Sequence, residues 1–209
     1  MTPMSTNHRT SAHQIEPVSI STGIVVFDDV EELDFIGPWE VFGVANRLHP
    51  DSFPTRLLGL ELKRLRGRYG LTIDADGLLY DSPLPRLLVI PGGPGTRKVM
   101  RDSRLLSHLK EASADGVLLA SVCTGALVLA AAGLLDGKSA TTHASALDEL
   151  SAFPKVTVVR QRFVDTGEIV TAAGISAGID MSLHLVGRFL GKEVAESVAS
   201  RMEYSPAMT

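Results

Sequence analysis

The chain predicts an α/β fold, a three-layer sandwich built around a mainly parallel central sheet. Three observations carry this expectation. Short β-branched, apolar runs alternate with longer runs of helical periodicity, the pattern of strand–helix–strand units. The strand runs "GIVV", "LLVI" and "VLLAS" are almost wholly apolar, as strands covered on both faces must be. One helical run, "TGALVLAAAGLL", is apolar nearly all round and therefore belongs inside the molecule.

Taken in order, "ISTGIVVF" (20–27) is the first buried strand, and "DDVEELDFIGP" follows as a loop. Pro38 suits the first turn of a helix, where its missing N–H costs nothing. In that helix Trp39, Phe42, Ala45 and Leu48 recur at helical spacing and define one buried face. "TRLLGLEL" is a second strand, and "KRLRGRYGLTIDAD" an excursion of shorter strands around Gly67 and Gly70. "RLLVIPGG" is a third strand ending in the glycine-rich loop "PGGPGT", after which "SRLLSHLKEASAD" forms an amphipathic helix. "GVLLASV" returns as a strand and leads into the buried helix. A short helix "ALDELSAF", a strand "KVTVVR" and a hairpin "RFVDTGEIVTAAG" turning at 165–167 come next. "SAGIDMSLHLVGRFLG" and "EVAESVASRMEY" are the closing helices.

At 209 residues, the chain has the length of one large domain. Residues 1–18 are polar, lack the apolar stretch of a secretory signal and are expected to be a disordered tail, leaving 19–209 as a single domain. A net charge of −4 without a basic run argues against nucleic acid or an anionic membrane as partner. The most apolar window, 117–135, is interrupted by Ser121, Cys123, Thr124 and two glycines, which speaks against a membrane span. The single cysteine forms no internal disulfide, so a reducing, cytoplasmic compartment is expected.

Ligand sites in such sheets lie beyond the carboxyl ends of the strands. Three loops there carry chemistry: "ELDFIGP", "PGGPGT" and "SVCTG". Cys123 is either a small buried hydrophobe or a nucleophile at a sharp strand-to-helix turn, for which Ser121 and Gly125 leave room. A helix start would favour the thiolate, and the Thr124 N–H would face a developing anion. Gly92 and Gly93 either ease a tight turn or offer a second backbone donor toward Cys123. Asp34 either caps the following helix or faces the thiol, with a raised pKa that lets it give and take a proton. Glu31 and Glu32 are read as solvated loop residues. His143 follows a short strand, with nothing in the sequence to fix its distance from Cys123. No His/Cys/Asp cluster has metal-ligand spacing, and no cofactor is implied.

Together "LDFIGPWEVF", "LLVIPGGPGT", "SVCTGALVLAAAGLLDGKSATTHASALDEL" and "VTAAGISAGIDMSLHLV" resemble the ThiJ/PfpI superfamily, over about residues 20–204. The resemblance implies a flavodoxin-like, class I glutamine-amidotransferase-like fold. It is strongest to the isonitrile hydratase branch, in the stand-alone form rather than fused to an AraC-type DNA-binding module. It implies Cys123 as nucleophile, Asp34 as its acidic partner, Thr124 as a polar neighbour and backbone donors from Gly92, Gly93 and Thr124. Ile36, Gly37 and His143 are expected to line the site.

Departures narrow the subfamily. Peptidase-type members have His directly after the cysteine, where this chain has Thr124, and no downstream His–Glu pair of the amidotransferases is present. Chaperone and glyoxalase relatives usually carry Glu at the position of Asp34. Isonitrile hydratase relatives often have Thr at the position of Ile36 and an aromatic residue at that of Ala144, so the substrate is less determined than the chemistry.

The activity implied is hydration of an isonitrile to an N-substituted formamide through a cysteine thioimidate. The alternatives are a redox- or ligand-sensing protein without turnover, and a glyoxalase-type enzyme acting on small 2-oxoaldehydes. A small-molecule substrate and a homodimer are the partners implied.

Overall fold

The computed structural model describes residues 18–206, so residues 1–17 of the expected tail lie outside the described residues. Its centre is a seven-stranded sheet. The contributing strands are β1 (Thr22–Val26), β2 (Thr55–Gly59), β5 (Gly77–Leu78), β6 (Leu87–Ile90), β7 (Leu118–Val122), β10 (Phe163–Asp165) and β11 (Ile169–Ala172). Their order is β10-β11-β7-β6-β1-β2-β5, and every pairing is parallel except β10 with β11. Every residue of β1, β6, β7 and β11 is buried, because helices cover both faces.

The helices are α1 (Glu32–Leu48), α2 (Thr96–Val99), α3 (Ser103–Ala114), α4 (Gly125–Ala131), α5 (Leu147–Ser151), α6 (Ala177–Leu190) and α7 (Lys192–Arg201). α1, α6 and α7 pack together as one layer, and α2 to α5 cluster around α4 as the other. Right-handed crossovers explain the split. The chain leaves β1 toward β2 but leaves β6 toward β7, so the connecting helices fall on opposite faces. The loops after β1 and β6 therefore diverge and open a crevice at the carboxyl ends of the strands.

Three expectations need correction. The first helix begins at Glu32, six residues before Pro38, which lies inside it and cannot donate to the Asp34 carbonyl. Glu32 and Asp34 in its first turn complement the positive end of the helix, a signal that outweighs the proline. Its buried face runs through Asp34, Phe35, Gly37, Pro38, Val41, Phe42 and Ala45, while Trp39 and Leu48 are exposed. Finally, "KVTVVR" supplies only β9 (Thr157–Val158), which pairs with β8 (Ser139–Ala140) outside the main sheet. The excursion around Gly67 and Gly70 is a separate antiparallel hairpin of β3 (Arg64–Arg66) and β4 (Thr72–Asp74).

Candidate active site

The junction between β7 and α4 is a strained elbow. Cys123 has φ of 56°, a left-handed conformation that costs a residue with a Cβ and persists only where its surroundings enforce it. The enforcing contacts are its N–H, shared between the carbonyls of Ala172 (3.1 Å) and Ala173 (3.0 Å), and its C=O, which accepts from Thr142 Oγ1 at 2.8 Å. The turn also needs a bare backbone at Gly125, where a Cβ would sit 2.1 Å from the Ile90 carbonyl oxygen.

Gly92 brings the acid to the thiol. A Cβ there would lie 2.7 Å from Asp34 Oδ2 and 2.8 Å from Cys123 Cβ, so its absence creates the space that the two side chains share. The Gly92 N–H donates to Asp34 Oδ2 at 3.0 Å, fixing a carboxyl that is fully buried. Asp34 Oδ1 has no well-aligned partner, although the carboxyl lies within hydrogen-bonding reach of the Cys123 thiol. Burial pushes the Asp34 acid up to about 7, and the charge of Glu31 adds to this. The Gly92 N–H, the thiol and, more weakly, Arg68 pull the other way.

The expectation of a favoured thiolate is corrected. Burial first, and the Asp34 charge second, push the Cys123 thiol up to about 12, against the pull of the Thr124 N–H and hydroxyl. α4 is only seven residues long, so its dipole is weak against that desolvation. The backbone donors are corrected too. The Gly92 N–H is committed to Asp34, and the Gly93 N–H donates to Thr124 Oγ1 at 3.0 Å, so both position side chains. The Thr124 N–H is the backbone donor directed at the sulfur.

Cys123 opens onto a pocket of about 370 Å³ lined by Glu31, Arg68, Gly93, Pro94, Arg97, Cys123, Thr124, His143, Ser145 and Ile175. His143 therefore reaches the pocket, its Nδ1 lying 2.8 Å from Ser145 Oγ and 3.2 Å from the Ser145 backbone nitrogen. Ile36 and Gly37 do not bound it, because Ile36 is exposed on α1 and Gly37 packs against Ile179 of α6. Glu31 is buried rather than solvated, and pairs with Arg68 Nη1 at 2.7 Å. Nothing in the sequence singles out Arg68, Arg97 and Ser145, since charged and hydroxyl residues in loops look alike until the fold assembles them. Among the described residues no group of His, Cys, Asp or Glu is arranged to hold a metal ion, and no helix is long and apolar enough to cross a membrane.

Residues 21–188 match the model of the DJ-1/PfpI family. Isonitrile hydratase of Pseudomonas putida is 34% identical over 190 residues, spanning 91% of this chain and 81% of that protein. The HTH-type transcriptional regulator CdhR of Pseudomonas aeruginosa is 32% identical over 173 residues, which cover 81% of this chain and half of the regulator. Among solved structures, a ThiJ/PfpI family protein from Pseudomonas syringae superposes with a TM-score of 0.80 at 26% identity, covering 98% of this chain and 84% of that one. Drosophila melanogaster DJ-1beta superposes with a TM-score of 0.79 over 90% of this chain and all of that one, at 24% identity, a likeness of fold.

Proposed function

The chain belongs to the DJ-1/PfpI family, and from that premise we propose that it hydrates isonitriles, R–N≡C, to N-substituted formamides, R–NH–CHO. The observation that carries this reading is the buried pair: a carboxyl raised to about 7 within reach of a thiol raised to about 12. Between those values the pair holds one proton, and an acid near neutrality is suited to passing it both ways.

In this mechanism the proton moves from Cys123 Sγ to Asp34 as the sulfur attacks the terminal carbon. Asp34 then delivers it to that carbon, giving the thioimidate Cys–S–CH=N–R. Ionised Asp34 next takes a proton from water as the water oxygen adds to the thioimidate carbon, and passes it to nitrogen. The tetrahedral adduct collapses to the formamide, its hydroxyl proton returning to the pair as sulfur leaves. The Thr124 N–H and hydroxyl steady the sulfur anion in both the attack and the departure. The 34% identity to isonitrile hydratase supports the substrate class. Redox sensing has less support, because a sensor thiol is ionised and accessible, whereas Cys123 is buried and held protonated.

The test is purified protein with cyclohexyl isocyanide, following the formamide. Turnover is expected, rising with pH through about 7 as Asp34 ionises. Cys123→Ala should abolish it, and Asp34→Asn should lower it about 10²–10⁴-fold. Full activity in Cys123→Ala overturns the mechanism.

A further inference from the structure

The pocket has a second wall that this chemistry leaves unused. It comes from the β3–β4 hairpin, which stands off the main sheet and reaches the site through its loop. Four hydrogen bonds seat the hairpin on the loop between β1 and α1 and on the first residue of α1. Arg66 N donates to Asp28 Oδ1 (2.9 Å), Asp29 N to Arg66 O (2.9 Å), Arg68 N to Val30 O (2.9 Å) and Tyr69 N to Glu32 Oε1 (2.7 Å). The result is an arginine in the lining of the pocket onto which the thiol opens.

Arg68 lies against the ring of Tyr69, 5.2 Å from its centroid, and only one edge of its guanidinium is hydrogen-bonded. Its Nη1 donates to Glu31 Oε2 at 2.7 Å, while Nε and Nη2 have no hydrogen-bond partner among the described residues. That remaining edge is a planar two-donor fork, which matches the two oxygens of a carboxylate. The rest of the lining mixes polar and apolar groups: Arg97 is paired with Glu149 at 2.6 Å, Thr124, His143 and Ser145 add polar groups, and Pro94 and Ile175 add apolar surface, so Arg68 is the arginine with donors to spare.

We propose that Arg68 determines specificity in this pocket and that the physiological substrate carries a carboxylate close to the reacting carbon. The proposal rests on the isonitrile reading for its reactive group, but on Arg68 for its anion.

The two can be tested apart. In the first arm, kcat/KM is measured with isocyanoacetate and with its methyl ester, which differ in charge at one end. Isocyanoacetate should be preferred, and the preference should fall about tenfold or more in Arg68→Gln, chiefly through KM, with partial rescue in Arg68→Lys. In the second arm, Cys123 is alkylated with iodoacetate and with iodoacetamide and followed by intact mass; it is the only cysteine in the chain. Each reaction forms an S–C bond and releases iodide, so the rate ratio reports anion preference while cancelling any change in thiolate fraction. That ratio should favour iodoacetate about tenfold more in the wild type than in Arg68→Gln. An Arg68-dependent alkylation ratio without turnover of any isonitrile overturns the hydratase reading and leaves the anion site standing. Equal ratios in wild type and Arg68→Gln, even with brisk isonitrile turnover, overturn the anion site.

Discussion

The two walls of the pocket are made differently. The reactive wall, Gly92 with the Cys123–Gly125 elbow, is main chain pressed against main chain, and its side chains are buried and fixed by backbone donors. The other wall is Arg68 on a hairpin loop, its side chain 44% exposed and held by an ion pair to Glu31 and by the Tyr69 ring. The contrast separates two tasks. Chemistry needs a thiol, an acid and an amide held to within fractions of an ångström. Recognition tolerates a charged side chain on a short tether, which can change without disturbing the elbow.

The strongest way to break the comparison is Gly125→Ala. Its new Cβ would meet the Ile90 carbonyl oxygen at 2.1 Å, and backbone on both sides leaves no room to yield. A loss of roughly 5 kcal/mol in unfolding free energy is expected from urea denaturation. On the other wall, Arg68→Gln should lower the urea midpoint far less, because it strips the half-exposed partner from the buried Glu31 carboxylate but leaves the backbone in place. A mild Gly125→Ala would show that the reactive wall is not the rigid one.

Asp34→Asn sharpens the same point through pH. The Asp34 acid stands at about 7 in the folded protein against an ordinary 3.8, so folding binds its proton more tightly. Wild-type stability from this group is therefore fully present below about pH 4 and is lost as pH rises to about 7. Asn keeps an acceptor for the Gly92 N–H and does not titrate. Denaturation at pH 5 and pH 8 should show the variant gaining on the wild type by about 2–3 kcal/mol across that interval. A difference that does not change with pH would mean that Asp34 is not held against its charge. The reactive wall thus sacrifices stability at neutral pH to keep a proton available.

The same division explains what the sequence discloses. The alternation of apolar strands and helices, and the chemistry-bearing loops after β1, β6 and β7, are local patterns, so Cys123, Asp34 and Gly92 stand out in the amino-acid order itself. What stays hidden depends on where distant segments meet. Glu31 looks solvated in its loop because its burial comes from a hairpin more than 30 positions away, and "RLRGRYG" reads as part of an excursion of short strands with nothing to tie it to the site. The commitment of the Gly92 and Gly93 N–H groups to side chains is invisible in sequence for the same reason. Trp39 and Leu48 share a helical period with Phe42, yet the buried stripe is set by which side of α1 meets α6 and the sheet.

The smallest expected effect tests whether the two walls communicate. The Asp34 carboxyl faces Cys123 and also feels Glu31 and Arg68, whose influences oppose each other: Glu31 raises its acid and Arg68 lowers it. Removing one charge at a time should therefore move the acid limb of the pH–rate profile for cyclohexyl isocyanide in opposite directions. Glu31→Gln takes away a buried negative charge and should shift the limb to lower pH, so that turnover begins at a more acidic value. Arg68→Gln takes away a positive charge and leaves Glu31 without its partner, and should shift the limb upward. Each shift should be smaller than that due to burial, the first cause of the raised value, and the double variant should return close to the wild type. Shifts of the same sign would mean that the hairpin acts on Asp34 by repacking rather than by charge. Opposite shifts that cancel would show that the wall assigned to recognition also trims the acid on which the chemistry depends.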